Sequence, residues 1–329
     1  MASFRNRDGK WQARIRRKGE NPVSNSFLTL HDAERWARQI ETDMDRGIYT
    51  SVVVAERTTF REIIERYMRE VTPSMLSARE DLIRLRATCR KPICNLSMLA
   101  LTPSRVAEYR DERLKEVSAG TVIRELSYFS SIINHARREW GINTTNPVTL
   151  VRKPSAPKGR ARTLSDTEKG RLLTELVATK DNRRNIWMKP LVELALESAM
   201  RRGELLALLW VNVDLDRRVA FLPTSKNGDS RQVPLSTSAV TILKQLPHSI
   251  DGRVFPVKAS TVAAAFVKAT RRSVVLDFHF HDLRHTAITS IAEKLPNVLE
   301  LSSVTGHKTL VMLKRYTHFK AEDLAKKLG

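Results

Sequence analysis

Between Val151 and Arg162 the chain reads VRKPSAPKGRAR, with two prolines, a glycine and five positive charges. Proline stiffens such a stretch, glycine breaks it, and nothing in it is suited to a core. The chain must therefore fold as separate bodies on either side of residues 151–162, which read as an interdomain linker. Its 329 residues suffice for two or three domains with real cores. From residue 56 the pattern is helical without obvious strands, so the expected domains are 1–55, 56–150 and 163–329.

In residues 4–18 a turn signal at Asp8-Gly9 is followed by strict alternation. Trp11, Ala13 and Ile15 share one strand face, and Gln12, Arg14 and Arg16 the other. A further short strand is expected around Ser24–Leu28. Thr29, with Asp32 close behind, then starts a helix with the stripe Ala33, Trp36, Ala37, Ile40 and Met44, ending near Gly47. Residues 56–150 have a helical pattern without obvious strands. Thr59 and Glu62 form a capping box ahead of Ile63, Ile64 and Tyr67, and Thr102-Pro103 pairs an N-cap with proline at the first helical position. Ser118 opens a segment striped by Val122, Leu126, Phe129 and Ile133. Ser165 with Glu168 begins the last domain, which is helical to about Trp210, with a break at Pro190. Val219–Leu222 and Arg231–Leu235 then read as a hairpin around Asn227-Gly228, and the remainder is helical. The fold class is mainly α with small β elements.

The net charge is +21, divided as +3 over residues 1–55, +9 over 56–162 and +9 over 163–329. Charge spread along the whole length suits a partner that runs along the whole protein. Nucleic acid fits best, since neutralising phosphates releases counterions along an extended footprint; a merely soluble basic protein is the plain alternative. Arg84, Arg86, Arg110, Arg113, Arg137 and Arg138 are candidates for phosphate contacts. Cys89 and Cys94 make neither a disulfide framework nor a zinc site by themselves, and are expected reduced and half-buried. With no leader pattern and no run of roughly 18 apolar residues, a cytoplasmic protein is expected, with no membrane partner.

The chemistry-bearing residues lie in the last domain. HDLRH (281–285) places His281, Arg284 and His285 at i, i+3, i+4, one face of a helix. A cation with two imidazoles on one face suits a phosphate better than a core. TGHKTLVMLKRYTH (305–318) places His307 after Gly306, and Tyr316 among Lys314, Arg315 and His318. SAMRRGEL (198–205) sets Arg201 and Glu204 at i, i+3, so the carboxylate can orient the guanidinium. Lys226 stands at the hairpin tip. Each has a duller reading: a surface Arg-Glu pair, a solvated lysine, a packed tyrosine, or zinc held by His279, His281 and His285.

In this order and at this spacing, Arg201, Lys226, His281, Arg284, His307 and Tyr316 resemble the active site of the tyrosine recombinases, the phage integrase family. The resemblance implies a three-stranded sheet plus helix at the N terminus that binds arm-type DNA, a helical core-binding bundle, and a mixed, mostly helical catalytic domain. Arg14, Arg16, Arg17 and Lys18 in the first domain, with Arg152 and Lys153 in the linker, are then expected to contact DNA. One departure is Ala199, where the family usually has glycine. Arg201 and Arg284 would fork onto one phosphodiester, taking the place of a metal ion, and His281 and His307 would bond that phosphate or take the nucleophile's proton. Tyr316, a phenol of ordinary pKa about 10, would attack phosphorus and form a 3′-phosphotyrosine, while Lys226 protonates the departing 5′-oxygen. Glu204 and His285 would support these groups, and neither cofactor nor metal is implied. The implied partners are double-stranded DNA at attachment sites and a homotetramer on that DNA, with a host DNA-bending protein and an excision factor as further ones. Phe319, Leu324 and Leu328 in the tail would face a neighbouring subunit. The alternatives are a type IB topoisomerase, a catalytically silent DNA-binding regulator and a metal-dependent nuclease.

Overall fold

The Asp8-Gly9 pair carries positive φ at both positions, 48° and 76°, as a two-residue hairpin turn requires. It joins β1 (Ala2–Arg7) to β2 (Lys10–Ile15), and β3 (Val23–Phe27) completes an antiparallel sheet of order β1-β2-β3. These positions come from a computed structural model that describes residues 2–17, 22–45, 53–157, 159–179, 184–223, 230–307, 309–313 and 316. The inward face of β2 buries Ala13 and Ile15 against α1 (Leu30–Asp45), whose Ala33, Ala37 and Met44 are buried and whose Trp36 and Ile40 pack beside them. Thr29 caps this helix through the Asp32 N–H at 3.2 Å. The register puts Arg5, Arg7, Lys10 and Arg14 on the opposite face, exposed to solvent. Lys18 and Gly47 lie outside the described residues.

The chain divides into two compact units, Met1–Lys158 and Gly159–Gly329. Besides the sheet, the first contains α2 (Val53–Arg57), α3 (Phe60–Glu70), α4 (Ala78–Cys89), α5 (Pro103–Glu116) and α6 (Ala119–Glu139) around a second core. The Thr59–Glu62 capping box and the Thr102 cap are both formed, and Val122, Leu126, Phe129 and Ile133 are fully buried. Cys89 and Cys94 are buried rather than half-buried, and burial pushes the Cys94 thiol up to about 12. Arg113 is not available for a phosphate contact. Its guanidinium bonds Glu125 at 2.6 and 3.0 Å and also Glu116, under the Tyr109 hydroxyl that shares Glu125. A sequence does not show which arginines have a half-buried carboxylate waiting.

The second unit begins with α7 (Asp166–Leu176), opened by the Ser165–Glu168 capping box, followed by α8 (Met188–Ser198) and α9 (Arg202–Ala207). Pro190 lies in the first turn of α8, where its missing N–H has no intrahelical partner to lose. A sheet of order β4-β5-β6 follows, from β4 (Val213–Asp214), β5 (Val219–Leu222) and β6 (Arg231–Pro234). The two-residue β4 is too short for a periodic signal. The unit ends with α10 (Thr237–Lys244), α11 (Ala259–Arg272), α12 (Asp282–Lys294), α13 (Val298–Thr305) and α14 (Leu310–Leu313). Its main core surrounds α8, while Ala199, Ala287, Ile288, Leu301 and Leu313 form a smaller cluster with Tyr316 packed on it.

Two features of residues 151–162 depart from a stretch in which nothing packs. Val151 closes the first unit's core, and Arg160 and Arg162 are held by Asp277, Asp282 and Glu168 in the second. Among the described residues no helix is long and apolar enough to cross a membrane.

Candidate active site

Glu204 organises one side of the site. Arg201 does not share a helical face with it as the spacing alone suggests. It sits at the N-cap of α9 with extended backbone (φ −71°, ψ 150°), and Glu204, three residues on, receives both its N–H and its Nη1, each at 2.8 Å. A second arginine, Arg231 on β6, forks onto the same carboxylate with Nη1 and Nη2 at 2.8 Å. Burial alone would raise the Glu204 carboxyl, but the Arg231 fork and the Arg201 N–H hold it at about 2. The sequence reading missed Arg231. The available signal was period two: Arg231 shares a face of β6 with Val233, which is fully buried.

Arg284, on α12, is 4% exposed. Nη1 donates to the Ala199 carbonyl and Nη2 to the Thr305 carbonyl at 2.5 Å, so one guanidinium joins the end of α8 to the end of α13. Burial, with the charges of Arg201 and Arg231, lowers this guanidinium to about 10, while Glu204 and Tyr316 pull the other way. Ala199 itself is buried in the left-handed region (φ 51°), the conformation that favours glycine. The Ala-for-Gly departure is therefore strained backbone whose carbonyl holds Arg284.

Three imidazoles stand along the same edge. His281, exposed, precedes α12 and meets the His285 ring edge-on at 5.3 Å between centroids. His285 Nδ1 is hydrogen-bonded to the Tyr316 hydroxyl, and the two rings lie 24° from parallel. His307 follows Gly306, and its Nδ1 lies 2.7 Å from Thr305 Oγ1, which gives its own proton to the Leu301 carbonyl at 2.7 Å. His307 Nδ1 must then be the donor, which leaves the lone pair of the neutral ring on Nε2. Its ring centroid is 6.3 Å from that of Tyr316.

Six residues thus converge: Arg201, Glu204, Arg284, His285, His307 and Tyr316, with His281 joined through His285 and with Arg231 added. Lys226 lies outside the described residues. Arg14, Arg152 and Lys153 are exposed, as is Arg16, while Arg17 pairs with Asp45 at 3.0 Å. No group of three or more His, Cys, Asp or Glu gathers as a metal site among the described residues.

Gly306 has a second constraint beyond its positive φ of 68°. A Cβ there would lie 2.9–3.0 Å from the Arg231 guanidinium. Gly306→Ala is expected to cost at least about 1–2 kcal/mol from the left-handed backbone, and to displace Arg231 from Glu204. Thermal unfolding with a DNA-cleavage rate checks this; an unshifted melting temperature would contradict it.

The Phage integrase family model matches residues 166–323, and the model for the Phage integrase N-terminal domain matches 56–154. A shufflon-specific DNA recombinase of Escherichia coli is 40% identical over 274 residues, covering 80% of this chain and 70% of that one. The Tn1549 transposon integrase, solved with circular intermediate DNA, superposes with TM-score 0.66 at 16% identity, covering 83% of this chain and 99% of that one. A lambda integrase tetramer on a Holliday junction gives TM-score 0.63 at 20% identity, covering 94% and 95%. The chain belongs to the phage integrase family and is a site-specific tyrosine recombinase, an enzyme that breaks and rejoins DNA strands.

Proposed function

We propose that this recombinase joins and separates a phage or other mobile element and a host chromosome at paired attachment sites, through a 3′-phosphotyrosine on Tyr316. The carrying observation is the charge balance. Arg201, Arg231 and Arg284 are electrostatically coupled around one carboxylate, Glu204. That surplus of positive charge, beside a tyrosine hydroxyl already bonded to an imidazole, is what a phosphodiester would neutralise.

In the proposed step Tyr316 Oη attacks phosphorus, a new P–O bond to the phenol forms, and the bond to the 5′-oxygen breaks. The phenolic proton passes to His285 Nδ1, the atom that faces it; His281 and an imidazolium His307, donating from Nε2, then serve the phosphate oxygens. Lys226 is proposed to protonate the departing 5′-oxygen. The ester conserves the bond's free energy, so the 5′-hydroxyl of another strand reverses the reaction without a nucleotide cofactor. The first 55 residues, with their basic sheet face, are proposed as an arm-type DNA-binding domain, and 56–150 as the core-binding domain. Arg14, Arg16, Arg17, Lys18, Arg152 and Lys153 are proposed DNA contacts. Strand exchange would use a tetramer on two duplexes in the host cytoplasm, aided by DNA-bending and excision factors. The relative that is shufflon-specific favours a second reading, recombination within a shufflon and not between an element and a chromosome.

The test is a nicked suicide substrate carrying the junction of the element, incubated with the protein in EDTA. A covalent adduct with a free 5′-hydroxyl is expected. Relaxation of plasmid without any such site would instead indicate a topoisomerase, and activity lost to chelation a metal-dependent nuclease.

A further inference from the structure

We propose that Arg160 is a positioning residue for strand cleavage: it clasps the loop before α12 and so fixes the helix that carries His281, Arg284 and His285. The proposal rests on the reading of those residues given above.

The loop from Ser273 to His281 is unusual in its backbone. Val274 and Asp277 both have positive φ, 54° and 46°. A β-branched residue in this region is a genuine outlier and persists only where surrounding contacts enforce it. Val274 and Leu276 are 61% and 70% exposed, so their own burial does not enforce it. Val275, Phe278 and Phe280 are buried and anchor the loop to the core. Between these anchors Arg160 supplies the polar hold. Nη2 donates to the Asp277 carbonyl at 2.7 Å and Nη1 to its carboxylate at 3.1 Å. On the other side, Nε and Nη2 reach the two Asp282 oxygens at 3.2 and 2.9 Å.

Asp282 is the first residue of α12 and its side chain is 1% exposed, against 40% for Arg160. It also accepts the His279 N–H at 2.8 Å, and the His279 ring lies 3.4 Å away. A buried carboxylate whose principal cation stands at the surface is a contact that can open from outside. The neighbouring residues follow the same path. The Arg162 guanidinium lies 5.7 Å from the centroid of the Phe278 ring, and the Leu164 N–H donates to Thr286 Oγ1 at 3.1 Å, one turn further along α12. Residues 160–164 therefore run beside the first turns of the helix, immediately after the point where the second unit joins the first. Displacing this segment would release Asp282 and the strained loop together. The helix would lose its hold two residues before Arg284.

The test uses the full chain and the suicide substrate, comparing Arg160→Ala and Arg160→Lys by single-turnover rate at saturating DNA, by Kd and by thermal unfolding. Arg160→Ala is expected to slow cleavage, measured well below its melting temperature, on the order of 10²-fold, the scale of a small misplacement of reacting groups, with Kd little changed and the melting temperature lowered because Asp282 is left buried without its principal cation. Arg160→Lys should recover part of the rate. Cleavage at the wild-type rate, or a loss confined to Kd as for a phosphate contact, would overturn the proposal. Amide hydrogen exchange separates it from the catalytic reading. Faster exchange at residues 284–288 in Arg160→Ala supports the clasp even if the wild-type chain forms no adduct, and unchanged exchange overturns it.

Discussion

Tyr316→Phe is expected to abolish the covalent adduct while leaving DNA binding intact. The substitution removes one oxygen, the atom bonded to His285 Nδ1, and keeps the ring that packs on the small cluster beside α12 and α13. For folding, that hydrogen bond is worth about 1 kcal/mol. Chemistry loses the proposed nucleophile, so cleavage should fall by about 10⁴-fold or more. The suicide-substrate assay with a gel-shift measurement reads both quantities. An adduct formed by Tyr316→Phe would show that another side chain attacks.

The second large effect is expected at Glu204. Glu204→Ala removes the buried acceptor of Arg201 and Arg231 and leaves three guanidiniums coupled to one another without their carboxylate. Breaking a buried pair from one side costs about 3–5 kcal/mol, or about 10 °C of melting temperature for a unit of this size. The same group predicts a pH dependence. Its folded pKa, about 2, is below the ordinary 4.5. The stabilisation is therefore complete above about pH 4.5 and is lost as pH falls towards 2. The gap in melting temperature between wild type and Glu204→Gln should close across that window. A constant gap would mean that the carboxylate charge carries none of the stability.

Much of this site could be read from the sequence because its pieces are local. HDLRH sets two imidazoles and a guanidinium at helical spacing, and α12 carries Arg284 and His285 with His281 at its N-cap. The capping boxes at Thr59 and Ser165 likewise fix two helix starts within four residues. The missing pieces depend on partners distant in the chain. Arg231 is joined to Glu204 across 27 residues, and Arg113 is committed to Glu125 twelve residues on. His285 is bonded to the hydroxyl of Tyr316, 31 residues later, a partner that its own segment does not reveal. Pattern reading sees which face a residue takes; it does not see what arrives opposite.

Arg284 has a consequence for judging relatives of this protein. Because its guanidinium rivets the ends of α8 and α13 through the Ala199 and Thr305 carbonyls, the fold needs it whether or not DNA is cut. A descendant that had given up strand breakage would still be under pressure to keep this arginine. Its presence in a gene of uncertain status is thus poor testimony to a working enzyme, and the phenol is the better witness.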